Sequence, residues 1–393
     1  MDAFFASVEL LDHPEWRGQP VIVGSGPHER GVVSTCSYEA RRYGVRSAMP
    51  SRTAYALCPR AIFTYPNMER YQEVSDRAFA VFARFSPYVE GVSVDEAFLD
   101  ITGTLHHYRE SAADSALDCA RRLGEALRAA VKRECGVTCS VGIAPNRLLA
   151  KIGSERHKPD GLTVMPFEPA EIAEFLRPCP VGILWGVGKA TIEALKPYGI
   201  RTCGDIQRMA DGRCAGAERL LGRELIDYAF GRCDDTVCWE PGEEKSVSRE
   251  HTFDVDEYDR ERVRAKLLEL VGEVGARFRR ERRWARTARL KLRDTAFNTS
   301  TRQLQFDSPS RDDIAFRAAA LRLFDGAMPE ARGTRLVGFG VTGIVDSPAV
   351  SDQLSLFDDP GDAAREKRER LAEAVDALRE QGMSLGDGRI GGR

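Results

Sequence analysis

The chain has 393 residues, of which 42% are hydrophobic and 30% charged, and its formal net charge is −3. This length suffices for two to four domains, and the composition fits an ordinary globular protein. No apolar run approaches the roughly 20 residues of a membrane span, and no secretory signal is visible, so a cytoplasmic protein is expected. Ten cysteines occur without a C-x-x-C pair, which favours reduced thiols over a zinc site.

The N-terminal segment 1–10 predicts a helix that begins almost at once. Phe4, Val8 and Leu11 have helical spacing, and Asp2 is well placed as the helix N-cap. A helix that opens this early normally has something before it.

Two short strands are predicted at 19–24 and 31–36, and the second contains Thr35. A helical turn follows, in which Tyr38 and Arg41 are three residues apart and share one face. A phenol and a guanidinium presented together can bind a phosphate, which arginine grips with two hydrogen bonds. The alternative is a surface Tyr/Arg pair without a ligand.

Helices and strands alternate between residues 69 and 165, which predicts an α+β domain with a sheet covered on one face. The predicted elements are helices at 69–85 and 111–134, a strand at 137–143, a helix opened by Pro145-Asn146 and a turn at 158–161.

Two neighbouring carboxylates, Asp95 and Glu96, lie in the mainly apolar segment 92–100 of this domain. Adjacent side chains of a regular strand point to opposite faces, so the strand must end, bulge or turn here if both are to share one ion. Oxygen ligands suit Mg²⁺, which completes its shell with water and substrate phosphates. An acidic hairpin turn without a metal is the alternative.

Residues 166–232 predict short helices with glycine-rich joints. Gly186 and Gly188 open one of these helices, and such a turn can present backbone N–H groups to a phosphate, although most such glycines form tight turns. The acidic and Pro/Gly-containing segment 233–246 is predicted to be a linker.

A stripe of positive charge falls in the next domain. Arg289, Lys291 and Arg293 alternate with leucines, which places the three cations on one face of a sheet. This pattern favours a surface for a polyanion backbone, to which residues 298–301 would add neutral donors, over a solvated strand edge.

The tail from residue 347 is turn-rich and acidic, and a short apolar peptide interrupts it. Exposed apolar residues in such a tail predict a docking peptide, carried here by Gln353, Leu354, Leu356 and Phe357.

Five runs of this sequence resemble, in the same order and spacing, the motifs of Y-family DNA polymerases of the DNA polymerase IV (DinB) type. They are Asp2–Glu9, Ser37–Arg41, Ser93–Asp100, Ser140–Ala144 and Lys158–Gly161. The resemblance covers nearly the whole chain and implies an α+β multidomain fold, a right-hand polymerase with an additional little-finger domain. The implied domains are a palm at 1–10 and 67–165, fingers at 11–66, a thumb with a helix-hairpin-helix at 166–232, a linker at 233–246, a little finger at 247–346 and a tail at 347–393.

The resemblance also implies template-directed, low-fidelity translesion DNA synthesis with two Mg²⁺ ions per active site. Asp95 is then a metal ligand, and Glu96 completes the catalytic site beside the primer terminus. Phe5 matches a steric gate that excludes ribonucleotides by clash, and plain core packing is its alternative. The residues implied to hold the incoming triphosphate are Tyr38, Arg41, Thr35 and Lys158.

The implied partners are primer-template DNA, dNTPs and the bacterial sliding clamp, and a monomer is expected. DNA would be bound by the Gly186/Gly188 turn and the basic stripe, and the clamp by the tail peptide.

One catalytic position of the family has no counterpart. The family carries an aspartate two positions before the residue that matches Asp2, at the end of a first strand, and both would precede Met1. A shift of two residues moves a carboxylate several ångströms, so Asp2 is not assigned that role. We therefore expect Met1 to lie inside a longer natural protein, and the chain as it stands to bind metal weakly and to add nucleotides very slowly. The alternatives are a catalytically impaired relative that docks on the clamp and on DNA, and a plain DNA-binding module with a structural acidic turn.

Overall fold

The computed structural model describes residues 1–210, 217–234, 236–240, 242–327 and 333–346. The chain divides into two units, Met1–Gly242 and Glu243–Arg393, and the division falls inside the segment that the sequence predicts as a linker. Among the described residues, no helix is long and apolar enough to cross a membrane.

The first unit alternates helices with short strands. Its helices are α1 (Phe4–Asp12), α2 (Tyr38–Arg41), α3 (Ser51–Leu57), α4 (Met68–Phe82), α5 (Ala116–Cys135), α6 (Arg147–Arg156), α7 (Pro169–Leu176), α8 (Lys189–Leu195), α9 (Cys203–Arg208) and α10 (Ala217–Ala229). Its strands are β1 (Val21–Gly24), β2 (Val33–Cys36), β3 (Ile62–Thr64), β4 (Tyr88–Ser93), β5 (Glu96–Asp100), β6 (Val141–Ile143) and β7 (Leu162–Val164). The first three strands form a sheet in the order β2-β1-β3, while β4 pairs antiparallel with β5 and β6 pairs parallel with β7.

Local signals explain where α5 begins and ends and where α6 begins. Ser115 and Asp118 form a capping box at the start of α5, and Gly136 ends this helix in the left-handed conformation with φ +74°. The side chain of Asn146 accepts the backbone N–H of Leu149, 3.0 Å away, at the start of α6. The two predicted helices are therefore confirmed, although α5 begins later than expected because its cap lies at Ser115.

The strand predicted at 137–143 is too long. Regular pairing is confined to β6, whereas Val137 and Cys139 are core side chains, 2% and 5% exposed. The apolar character of this segment therefore reflects burial against helices as well as strand pairing. Its neighbours in that core include Phe4 and Val8 of α1 and Leu127 of α5.

The described part of the second unit is a four-stranded sheet with two helices. Its elements are β8 (Ser246–Glu257), α11 (Arg260–Glu281), β9 (Trp284–Asp294), β10 (Thr299–Ser310), α12 (Asp313–Ala327) and β11 (Thr334–Val345). The strands are antiparallel in the order β10-β9-β11-β8. One core joins α11 and α12 to the sheet through Phe278, Phe316 and Phe339, so both helices cover the same sheet face.

The predicted linker contacts the first unit before the chain enters the second. The backbone N–H of Cys238 donates to Glu90 Oε2 at 2.9 Å, and the same carboxylate accepts Arg147 Nη1 at 2.8 Å. The ring of Trp239 lies 6.0 Å from the ring of Tyr88. This part of the predicted linker is thus held against the β4-β5 hairpin.

Candidate active site

The acidic segment forms a tight hairpin. β4 ends at Ser93 and β5 begins at Glu96, so Val94 and Asp95 form the turn between them. Ser93 Oγ donates to Asp95 Oδ1 at 2.8 Å and thereby orients that carboxylate. The sequence-based expectation that the strand turns here is confirmed, and the turn is what releases the two adjacent acids from opposite faces.

Asp95 and Glu96 line one cavity of about 190 Å³. Its walls come from β5 and β6, which belong to separate two-stranded sheets. Lys151, Lys158 and Trp185 also line this cavity. Two carboxylates and two ammonium groups therefore meet at one concave, otherwise largely apolar site.

Lys151 and Glu155 of α6 connect the acidic hairpin to Lys158. Lys151 Nζ donates to Glu96 Oε1 and lies 3.5 Å from Glu155 Oε1, which also accepts Lys158 Nζ at 2.5 Å. Burial lowers the pKa of Lys151, but the hydrogen bonds and charges of Glu96 and Glu155 together raise it more, so the net shift is upward. Burial raises the pKa of Glu155, but Lys158 and Lys151 lower it more. Carboxylates and ammonium groups thus alternate in one row, in which the shifts of Lys151 and Glu155 favour their charged forms.

Sequence reasoning missed Lys151 and Glu155. Their spacing of four residues on a helix is a signal for a Lys–Glu pair, yet it says nothing about Glu96, which is 55 residues away in the chain. The contact arises because α6 packs beside the hairpin.

Asp2 is not the helix cap that the sequence predicts. The N-cap of α1 is Ala3, in the left-handed conformation with φ 42°, and no side chain caps the helix. Asp2 is 1% exposed, its Oδ1 accepts Ser140 Oγ at 2.8 Å, and its Oδ2 accepts the backbone N–H of Asp160 at 2.8 Å. Both donors lie in neighbouring loops, and buried donors need an acceptor. Asp2 satisfies these two donors instead of capping the helix. The carboxylate thereby fixes the turn that carries Lys158.

Tyr38 and Arg41 lie on α2, directly after Thr35 of β2. The guanidinium carbon of Arg41 lies 4.8 Å from the centroid of the Tyr38 ring, which confirms their shared face. The Tyr38 hydroxyl is buried, and no group of the described residues bonds it. Burial, followed by the charge of Asp2, raises its pKa to about 12, so it remains a proton donor. A buried donor without a partner costs free energy unless a ligand satisfies it.

Phe5 packs on the aromatic core of the first unit and stays partly exposed. Its ring stacks on Tyr71 with centroids 4.2 Å apart and an angle of 16° between planes. The Tyr71 hydroxyl in turn donates to Glu9, which holds the lower ring in place. The Phe5 ring therefore has a defined plane and one partly open side.

The donor set fits a divalent cation that shares its shell with a substrate. Among the described residues, no group of three or more His, Cys, Asp or Glu side chains is positioned to hold a metal ion. Asp95 and Glu96 are nevertheless two carboxylates on one cavity, and Mg²⁺ characteristically takes one or two carboxylates with water and phosphate oxygens. Asp95 is the less engaged of the two, since Glu96 is bound by Lys151.

The glycine turn lies beside the acid-bearing strand. Gly186 has φ +79°, a conformation that favours glycine, whereas Gly188 is the N-cap of α8 at φ −87°, which any residue adopts. The Trp185 ring, just before the turn, lies 5.7 Å from the ring of Phe98 in β5.

The basic stripe lies on the sheet face opposite α11 and α12. Leu290 and Leu292 are 1% and 8% exposed in the core, so the alternating Arg289, Lys291 and Arg293 face away from it. Two of these cations have partners: Lys291 Nζ binds both carboxylate oxygens of Glu250, at 2.8 and 2.9 Å, and Arg293 Nε donates to a threonine at 2.8 Å.

Two of the four predicted neutral donors share this face. Thr299 and Thr301 pair with Arg293 and Lys291, whereas Ser300 pairs with a core leucine and Asn298 bonds the turn aspartate Asp294. Side chains alternate between the two faces of β10, so every second residue points away from the face of the basic stripe. The predicted clamp peptide, Gln353, Leu354, Leu356 and Phe357, lies outside the described residues.

Comparisons with known proteins agree with this architecture. Residues 1–155 match the impB/mucB/samB family, residues 169–200 match the IMS family HHH motif, and residues 244–356 match the impB/mucB/samB family C-terminal domain. A DNA polymerase IV of Desulfatibacillum aliphaticivorans is 39% identical over 96% of this chain and 91% of its own length. A DNA polymerase IV of Listeria monocytogenes serotype 4a is 37% identical over 88% of this chain and 93% of its own length.

A solved structure shares the fold. It is the Y-family DNA polymerase chimera Dbh-Dpo4(243-245)-Dbh, with a TM-score of 0.74 at 24% identity, over 88% of this chain and 98% of that one. The chain thus has the right-hand polymerase fold with a little-finger domain, as the sequence predicts.

The chain belongs to the Y family of DNA polymerases, within its DNA polymerase IV (DinB) type. It is a DNA-directed DNA polymerase, a nucleotidyltransferase of translesion synthesis and DNA repair that uses DNA and dNTPs. Membership of this family implies dependence on a divalent metal ion. The family predicted from the five sequence runs is therefore confirmed.

Proposed function

We propose that nucleotide addition takes place at the cavity lined by Asp95 and Glu96, by two-metal phosphoryl transfer with Mg²⁺. The observation that carries this proposal is convergence: both carboxylates, Lys151 and Lys158 surround one cavity. Two bound cations would stabilise the charge on the attacking 3′-oxygen and on the leaving oxygen. Asp95 and Glu96 are their proposed ligands in this chain.

The triphosphate is bound by Tyr38, Arg41, Thr35 and Lys158. Tyr38 supports this assignment most directly, because its buried hydroxyl lacks a partner among the described residues and keeps its proton. Lys158 must leave Glu155 to reach a phosphate, and a triphosphate offers more negative charge than one carboxylate.

Phe5 acts as the steric gate beneath the sugar. Its plane is set by the stack on Tyr71, so the ring cannot easily turn away from a 2′-hydroxyl. Phe5→Ala is expected to admit ribonucleotides while dNTP incorporation continues, measured by single-turnover incorporation of matched rNTP and dNTP pairs. Unchanged sugar discrimination would remove this assignment and leave core packing as its role.

DNA is bound at two places, one in the thumb and one in the little finger. The domain bounds implied by the sequence are retained: palm at 1–10 and 67–165, fingers at 11–66, thumb at 166–232, linker at 233–246 and little finger at 247–346. In the thumb, Gly186 and Gly188 present backbone N–H groups to a phosphate. In the little finger, the stripe of Arg289, Lys291 and Arg293 contacts the phosphate backbone of the DNA.

The protein acts as a monomer and is recruited to the sliding clamp by the tail peptide at 353–357.

Primer extension with matched acidic variants tests the catalytic assignment. Asp95→Asn and Glu96→Gln are expected to reduce Mg²⁺-dependent incorporation at least a hundredfold while DNA affinity persists. Asp100→Asn is the matched control, because Asp100 ends the same strand, does not line the cavity and accepts the backbone N–H of Thr102. Equal loss of incorporation and DNA binding in the first two variants would count against their roles.

A second arm separates the polymerase from the catalytically impaired scaffold. The chain is compared with a version extended before Met1 by a short apolar strand that ends in aspartate. Incorporation that the added strand raises supports the polymerase at this cavity, whereas salt-sensitive DNA binding without incorporation by either protein favours the scaffold.

A further inference from the structure

Lys151 has two carboxylate partners in the active site. Its ammonium donates to Glu96 and lies 3.5 Å from Glu155, which is also bound by Lys158 at 2.5 Å. The side chains of Lys151 and Glu96 are 31% and 35% exposed, so both are partly shielded from water. One lysine can therefore satisfy either of two acids without leaving the site.

We propose that Lys151 is a positioning residue that holds Glu96 in the free enzyme and passes to Glu155 when a divalent cation and a nucleotide bind. This inference rests on the proposed function of Glu96 as a metal ligand and of Lys158 as a triphosphate contact. Lys151 sets how tightly the first cation binds, because ammonium and cation compete for the same carboxylate.

The row of charges links nucleotide binding to release of Glu96. A triphosphate that takes Lys158 leaves Glu155 with an unmatched negative charge. Glu155 then becomes the better partner for Lys151, which shifts away from Glu96. Glu96 exchanges the ammonium of Lys151 for the divalent cation, and Glu155 exchanges Lys158 for Lys151. Neither carboxylate is therefore left unpaired in a partly buried site.

Geometry distinguishes this role from a general effect of positive charge. Lys151 and Lys158 line the same cavity, but Lys151 bonds Glu96 whereas Lys158 bonds Glu155. Removing either lysine changes the net charge of the site equally. A role through the bond to Glu96 predicts unequal effects on cation binding.

Titration of the full chain with Mn²⁺ alone, followed by electron paramagnetic resonance, tests the proposal. Lys151→Met is expected to tighten Mn²⁺ binding about tenfold, the scale of one charge-assisted hydrogen bond, and Lys158→Met, the matched control, by less than about threefold. Lys151→Arg retains the charge and the donor and should stay near the wild type. Glu155→Gln removes the negative charge of the second acid, leaves Lys151 on Glu96 and should weaken Mn²⁺ binding, which provides a readout of opposite sign if Lys151→Met does not fold.

Incorporation kinetics provide a second readout. Lys151→Met should raise KM for the dNTP, because Glu155 then has no cation to replace Lys158 when a nucleotide binds, and Lys151→Arg should restore that KM. Equal tightening of Mn²⁺ binding in the Lys151→Met and Lys158→Met proteins would overturn the positioning role. Mn²⁺ binding that survives Asp95→Asn would instead overturn the metal site of the proposed function, so the two failures are distinguishable.

Discussion

Asp2 offers the sharpest test of the structural account, because sequence and structure assign it different roles. As a helix cap, its removal would cost about 1 kcal/mol. In the structure its carboxylate is buried and accepts two hydrogen bonds, from Ser140 Oγ and from the backbone N–H of Asp160, both at 2.8 Å. Hydrogen bonds to a charged group contribute about 1.5–3 kcal/mol each, so Asp2→Ala should destabilise the first unit by about 3 kcal/mol or more.

Urea unfolding followed by tryptophan fluorescence measures this cost. A Trp284→Phe background leaves the tryptophans of the first unit, Trp16, Trp185 and Trp239, as the reporters. Asn67→Ala is the matched cap control, because the Asn67 side chain caps α4 through a single bond of 3.2 Å to a backbone N–H. It should lower the free energy of unfolding by about 1 kcal/mol.

The comparison of the two variants decides between the roles. If Asp2→Ala lowers the free energy of unfolding no more than Asn67→Ala does, Asp2 does not bridge two loops as a buried acceptor. The structure also predicts an accompanying rise in KM for the dNTP, because Asp2 fixes the turn that carries Lys158. Asn67→Ala should leave that KM unchanged.

Three other predictions concern the DNA face, acid stability and the tail. Glu250→Gln removes the negative charge that neutralises Lys291 on the sheet, so DNA binding followed by fluorescence anisotropy should tighten and its salt slope should steepen by about one; an unchanged slope would contradict a phosphate contact by Lys291. Burial raises the pKa of Asp160, but Arg128 and Lys132 together lower it more, so the pKa lies below its usual 3.8. Such a group stabilises the fold above its unfolded-state pKa and loses that effect as pH falls through the folded value. In acid-unfolding titrations the wild type should therefore lose more stability than Asp160→Asn as the pH falls from about 5 to below 3.8; equal sensitivity would refute this. Deleting residues 353–357 should spare distributive primer extension and abolish its stimulation by the clamp, whereas persistent stimulation would exclude the tail peptide as the docking site.

Several features were predictable because they depend on residues close in the chain. The turn at Asp95 follows from two adjacent acids within a strand pattern, and the shared face of Tyr38 and Arg41 follows from a spacing of three on a helix. The outward stripe on β9 follows in the same way from alternation of Arg289 with core leucines. Each of these statements needs only backbone geometry over a few residues.

The contacts that define the site could not be predicted in this way. Asp2 and Asp160 are 158 residues apart, and Lys151 and Glu96 are 55 apart. No local pattern specifies which donor reaches which carboxylate across such distances, because hydrogen bonds require contact within about 3 Å. The same holds for Glu250 of β8, whose bond to Lys291 of β9 joins two strands that are not adjacent in the sheet, because β11 lies between them.

The family, the positions of the main helices and the acidic turn could be read from the amino-acid sequence, since they follow from motif order and from short-range periodicity. The partners of the charged groups depend on how the elements pack in the folded protein: Asp2 bridges two loops instead of capping a helix, and Glu96 is held by Lys151. The physical reason is that a buried charge takes whichever donor the packing brings within reach, and packing is a property of the whole unit.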